Sequence, residues 1–109
     1  MTQEHKIQND IRVAVSHHGC TIFRANVGKV KMENGRWFDT GLPRGFPDLF
    51  GWRHSDGKIF FIEVKNEMGR LRADQKLFAK FVEQFPVLYG VARSVEDALK
   101  IVEVDDDRN

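Results

Sequence analysis

The sequence is short of the residues that build secreted frameworks and membrane spans. Its 109 residues include one cysteine, Cys20. That excludes an internal disulfide framework and a cysteine-rich zinc site. No apolar run approaches the roughly 18 residues of a spanning helix, so no membrane segment is expected. The opening residues, Met-Thr-Gln-Glu-His-Lys, are polar, and no secretory leader is expected. Internal repeats, low-complexity tracts and linkers are absent from the sequence. What is present is 30% charged residues together with nine Phe and two Trp, which matches neither a disordered chain nor a membrane protein. The length fits one domain with no room for a second catalytic one. The expectation is a soluble protein of a reducing, cytoplasm-like compartment, with a core small enough to make self-association reasonable.

Net charge is also nearly absent, at +1, but the balance is uneven along the chain. Residues 1–80 carry 14 Lys and Arg against 9 Asp and Glu, whereas residues 81–109 carry 3 against 7. A basic body with an acidic tail is compatible with a polyanionic partner, and equally with an ordinary solvated surface.

Hydrophobic spacing predicts the elements. Residues 4–18 read as a helix, with Ile7, Ile11, Ala14 and Val15 at helical intervals, Thr2 as cap and Gly19 as stop. Residues 21–27 read as a strand. Asn34-Gly35, between two short extended runs, marks a hairpin over residues 30–38. A Gly-, Pro- and Arg-containing loop, 41–46, leads to a strand at 46–53, a turn at 54–57 and a second strand at 58–65. After a loop at 66–70, residues 72–85 read as a helix whose apolar face is Leu77, Phe78, Phe81, Val82 and Phe85, stopped by Pro86. Residues 87–92 form a last strand. Ser94 and Asp97 make a capping box for a final short helix with Ala98, Leu99 and Val102 on its apolar side. The order α-β-hairpin-β-β-α-β-α implies an α/β fold, a mixed β-sheet flanked by helices.

Chemistry concentrates at Pro47-Asp48 and Glu63-Val64-Lys65. If the turn at 54–57 sets Arg53 opposite Lys58, then Asp48 lies opposite Glu63, with Cβ atoms about 4.5–5.5 Å apart. A two-residue slip sets Asp48 opposite Lys65 and diagonal to Glu63. In either register the three side chains share one face, because strand side chains alternate. Two carboxylates across a sheet repel each other, and a hard divalent cation removes that repulsion. Lys65 can point at the same spot, to stabilise phosphate charge or orient a water. A surface Glu-x-Lys pair beside an unrelated Asp is the plain alternative.

These residues resemble the PD-(D/E)XK nuclease signature. Gly45-Phe46-Pro47-Asp48-Leu49, Ile62-Glu63-Val64-Lys65-Asn66, Gly69-Arg70-Leu71 and Gln75, in that order, are similar to the VRR-NUC family, the virus-type replication-repair nucleases. The resemblance spans residues 4 to about 102. It implies a restriction-endonuclease-like core over residues 1–104, followed by an acidic tail at 105–109. It also implies hydrolysis of phosphodiester bonds with Mg²⁺ or Mn²⁺. Asp48, Glu63 and the backbone carbonyl of Val64 would be metal ligands, Lys65 would position or activate water, Gln75 would be the helix glutamine, and Glu4 would match the acidic residue of the first helix. Arg72 departs from the small capping residue common before Gln75. The chain lacks the accessory DNA-binding domains of large cellular members and looks like a compact, phage-type one, which would act in a host cytoplasm. Such members look like homodimers that cut branched DNA, four-way (Holliday) junctions above all. A binding module of the same fold without catalysis and an RNA-directed nuclease are the competing readings. The first is disfavoured because Asp48, Glu63 and Lys65 are all intact.

Lys29, Lys31, Arg36 and Arg44, on the hairpin and the loop after it, can contact phosphates or remain solvated. Trp37 and Phe38 can stack on a splayed base, or serve as core or dimer contacts together with Met32. Gln75 can be a buried amide satisfied by backbone, and Glu4 an exposed first-turn acid favoured by the helix dipole. His17 and His18 read as structural helix-end residues, and Cys20 as a small buried hydrophobe.

Overall fold

The computed structural model describes residues 2–103. The elements run α1 (Gln3–Ser16), β1 (Cys20–Arg24), β2 (Lys29–Lys31), β3 (Trp37–Asp39), β4 (Leu49–Arg53), β5 (Ile59–Val64), α2 (Ala73–Val82), β6 (Leu88–Ala92) and α3 (Val95–Val102). The four-stranded sheet has the order β1-β4-β5-β6. Its first two pairings are antiparallel, while β6, reached through α2, runs parallel to β5. The element order and mixed sheet expected from the sequence are those observed. The expected tail at 105–109 lies outside the described residues.

Local chemistry explains the helix starts. The Thr2 hydroxyl accepts from the His5 N–H at 3.1 Å, and the Ser94 hydroxyl from that of Asp97 at 3.1 Å. Each satisfies a donor that the first helical turn leaves unpaired. Helices α1 and α3 cover one face of the sheet. The core between them is Ile11, Val15, Cys20, Leu49, Phe60, Ile62, Val64, Ala92, Ala98 and Val102. Buried Arg53 ties β4 to the end of α3 by donating to the carbonyls of Val102 and Glu103 at 3.3 and 3.0 Å. Strand alternation sends Phe50, Phe61 and Glu63 to the opposite face. There Phe46, Phe61 and Phe78 pack edge-on, with centroids 5.3–5.8 Å apart, under α2.

Four expectations need correction. The strand predicted at 21–27 ends at Arg24, and the one predicted at 46–53 begins only at Leu49. The predicted helix at 72–85 ends at Val82, and its apolar stripe does not face the sheet as a whole. Leu77 is 70% exposed, and Phe81 and Phe85 are also exposed. Only the line Gln75–Phe78–Val82 looks inward, because α2 lies along the sheet with little beyond it. Finally, the Asn-Gly hairpin forms as expected, but β2 and β3 make a separate two-stranded sheet. Trp37 and Phe38 are 63% and 57% exposed, so they are not core residues.

Candidate active site

The β4–β5 register pairs Leu49 with Ile62 and Phe50 with Phe61. This is the first of the two registers considered, and it brings Asp48 beside Glu63. Asp48 precedes β4 and is anchored by its backbone: its carbonyl accepts from the Ala25 N–H at 2.8 Å. Its side chain reaches across, and Oδ2 accepts from the Val64 N–H at 2.8 Å. Gly45 makes this approach possible. It has φ +92°, and a Cβ there would lie 2.5 Å from the Asp74 carbonyl oxygen. Only glycine lets the chain pass α2 so closely before turning into Phe46-Pro47-Asp48.

Glu63 is 1% exposed. Gln75 Nε2 donates to its Oε2 at 3.1 Å, while Gln75 Oε1 accepts from the Arg72 N–H at 2.8 Å. The backbone amide of Arg72 thus fixes which end of the glutamine amide faces the carboxylate. Arg72 at the cap does not disturb this geometry, since only its main chain is needed. Glu63 Oε1 is buried and has no hydrogen-bond donor.

Burial first, and then the neighbouring Asp48 carboxylate, push the pKa of Glu63 up to about 9, against the opposing pull of Lys65 and Arg72. At neutral pH the metal-free pair therefore holds a proton. The sign of its effect on stability follows. Between the ordinary carboxyl value of 4.5 and about 9, the folded state binds a proton that the unfolded state has released, so stability falls as pH rises. In EDTA, the melting temperature should decline across that window. Millimolar Mg²⁺ or Mn²⁺ should reduce the decline by replacing the proton, and Glu63→Gln should flatten it. A wild-type melting temperature in EDTA that holds constant across the window would contradict the shared proton.

The residues fit a divalent cation. Ionised, Glu63 Oε1 is a buried acceptor with no donor, an arrangement that is costly unless a positive centre meets it. Two carboxylates form a hard oxygen donor set suited to Mg²⁺ or Mn²⁺. Among the described residues, no third His, Cys, Asp or Glu joins them into a cluster. Glu4 is half-buried on α1. Its Oε2 lies near Gly69, where a Cβ would be 3.4 Å from that oxygen and 3.3 Å from Lys65 Cδ. The structure thus sets Glu4 and the stem of Lys65 both against Gly69. Lys65 is 7% exposed and follows β5 directly, and its N–H donates to the Ala92 carbonyl at 3.1 Å.

The basic residues lie further out. Lys29, Lys31, Arg36 and Arg44 are all exposed. Lys31 Nζ lies 6.0 Å from the Trp37 ring centroid, and Arg44 Nε lies 3.8 Å from Asp74 at the start of α2. Among the histidines, His18 Nδ1 pairs with the Ala14 carbonyl at 2.8 Å, a helix-end role.

Two residues near the site escape a sequence reading. Arg93 Nη1 donates to the carbonyls of Asn66 and Gly69, each at 2.7 Å, and so clamps the loop after Lys65. Its partners lie more than twenty residues away, and no local pattern announces them. Tyr89 sits opposite Phe61 on β6. Being the chain's only tyrosine, on an otherwise apolar strand, was the one available signal.

Comparison with known proteins agrees with this geometry. No curated protein matches the chain. A solved structure described as a VRR_NUC domain shares the fold, with a TM-score of 0.66 at 21% identity over 92% of this chain and 94% of that one. The family model for the VRR-NUC domain matches residues 2–96, nearly the whole of the described chain. The chain belongs to the VRR-NUC family, and is thereby a nuclease of the PD-(D/E)XK type.

Proposed function

We propose that this nuclease is a metal-dependent endodeoxyribonuclease that acts as a homodimer on branched DNA. One observation carries the metal-dependent chemistry: Asp48 and Glu63 lie side by side, with one buried carboxylate oxygen lacking a donor and Lys65 next to them. In this reading Asp48, Glu63 and the Val64 carbonyl hold Mg²⁺ or Mn²⁺. A bound ion would polarise the phosphate and lower the pKa of water. Gln75 keeps the Glu63 carboxylate turned toward Asp48. Lys65 presents its ammonium to charge that develops on the phosphoryl oxygens. Glu4, which like the Lys65 stem lies against Gly69, adds a carboxylate to the mouth of the site. Lys29, Lys31, Arg36 and Arg44, all exposed, would contact the backbone of a long substrate.

The substrate and the assembly rest on a symmetry argument. One chain holds one such site, and one site cuts one strand. A four-way junction presents paired strands that two sites about a twofold axis can address. The hairpin exposes Met32, Trp37 and Phe38, large apolar side chains of the kind that interfaces bury. Size exclusion with light scattering should give a dimer. A panel of end-labelled single-strand, duplex, flap and four-way-junction DNAs, with Mg²⁺ or Mn²⁺, should show paired symmetric nicks near the branch point of the junction. A monomer at micromolar concentration that cuts linear duplex as readily as a junction would overturn the assembly and the substrate together.

A further inference from the structure

Among the described residues, two buried side-chain polar atoms have no hydrogen-bond partner: Glu63 Oε1 and the Tyr89 hydroxyl. With Glu63 ionised, as it would be beside a cation, the first is an acceptor and the second a donor. They lie on neighbouring parallel strands. Glu63 pairs with Val91 and Phe61 with Tyr89, so alternation sends the Tyr89 ring to the same face as Glu63, one pleat back. The ring is held there by Phe78, with centroids 6.3 Å apart, and Phe78 in turn packs on Phe61 at 5.3 Å. Tyr89 and Glu63 thus share one face of the sheet, and the Tyr89 hydroxyl is buried there. Burial first, and then the charges of Glu63 and Asp48, raise its pKa to about 12. A tyrosine in an aromatic wall has no packing need for its oxygen. Phenylalanine would fill the same space without burying an unsatisfied group.

We propose that Tyr89 is a positioning residue for Glu63, its hydroxyl joined to Oε1 through one water. Gln75 grips Oε2 from α2 and Tyr89 holds Oε1 from β6, so the carboxylate is oriented from two sides. The site is polar enough for such a water, because Asp48 supplies a third partner. Outer partners of this kind turn a ligand carboxylate toward its ion. The inference rests on the metal-dependent reading above and extends it to a residue outside the nuclease signature.

Tyr89→Phe separates the two roles of the side chain. It keeps the ring against Phe78 and removes only the oxygen. The variant should melt at or above the wild-type temperature in EDTA. Its affinity for Mn²⁺, titrated without nucleic acid, should fall about tenfold. At saturating metal, kcat should also fall about tenfold with KM unchanged. Tyr89 is the only tyrosine, so ¹³Cζ-tyrosine labelling gives a single resonance. Mg²⁺ should shift it in wild type and leave it in place in Asp48→Asn. Wild-type Mn²⁺ affinity and kcat in Tyr89→Phe would overturn the proposal, as would a tyrosine resonance that ignores bound Mg²⁺. A lowered melting temperature would show that the oxygen serves the fold instead. Failure of wild type to bind either ion is a different result. It overturns the metal-dependent reading, and this inference falls with it.

Discussion

Asp48→Asn should abolish strand cleavage while leaving the protein folded and able to bind DNA. The choice of substitution matters because Asp48 does two things. Its Oδ2 accepts the Val64 N–H, which holds the start of β4 against the end of β5, and its charge faces Glu63. Alanine removes both, leaves a backbone donor without its partner and costs about 1–3 kcal/mol of stability. Asparagine keeps an acceptor oxygen for Val64 and removes only the charge. It should also relieve the repulsion that the ionised pair suffers without a cation. In EDTA, Asp48→Asn should therefore melt no lower than wild type, and Mg²⁺ should raise its melting temperature less. The activity loss should be severe. A metal ion contributes several kcal/mol of charge stabilisation in the transition state, which at about 1.4 kcal/mol per tenfold is about three orders of magnitude. The measurement is single-turnover cleavage of an end-labelled substrate beside a binding titration. Cleavage at the wild-type rate by Asp48→Asn, or by wild type in EDTA, would remove the basis of the assignment.

The placement of Asp48 beside Glu63 was legible in the sequence for a geometric reason. A turn at 54–57 between two strands leaves few registers, and alternation puts both carboxylates on one face in each of those with the right parity. Gln75 was legible as a candidate from its match to the family's helix glutamine. Its function was not, since that depends on a backbone amide at Arg72 and a carboxylate twelve residues back. Glu4 is a similar case. The family resemblance marked it as the acidic residue of the first helix, yet only the folded chain shows that it and the Lys65 stem both lie against Gly69 and that it does not join the carboxylate pair.

What the sequence misled on has one physical origin. Periodicity reports that a helix has an apolar side, not that something covers it. Leu77, Phe81 and Phe85 satisfy the pattern as well as Phe78 does, but α2 meets the sheet along a single line. Trp37 and Phe38 similarly look like core residues in a short strand, yet their hairpin stands apart from the main sheet. In a chain of this size such exposed apolar surface is expensive to leave wet. Its location on the hairpin and on the outer side of α2 is where a second copy would do most to cover it.

Lys65→Met should lower kcat by about two to four orders of magnitude, the range found when a group that stabilises developing charge is removed, with KM little changed. Methionine is preferred to alanine because the Lys65 stem is buried against Gly69. Truncation there would open a cavity and confuse a packing defect with a chemical one. Arginine is no conservative control either, since its planar fork cannot occupy the place of a compact ammonium. Lys65 has a second effect to be separated from the first. Its charge lowers the pKa of Glu63, so removing it tightens the hold on the shared proton and weakens competition by a metal ion. Part of the loss at low Mg²⁺ should therefore be recovered by raising either pH or metal concentration. The remainder, measured at saturating metal, is the contribution of the ammonium to the transition state. Full recovery at saturating metal would assign Lys65 to tuning Glu63 alone, and a variant that loses affinity for DNA while keeping kcat would make it a substrate-binding residue.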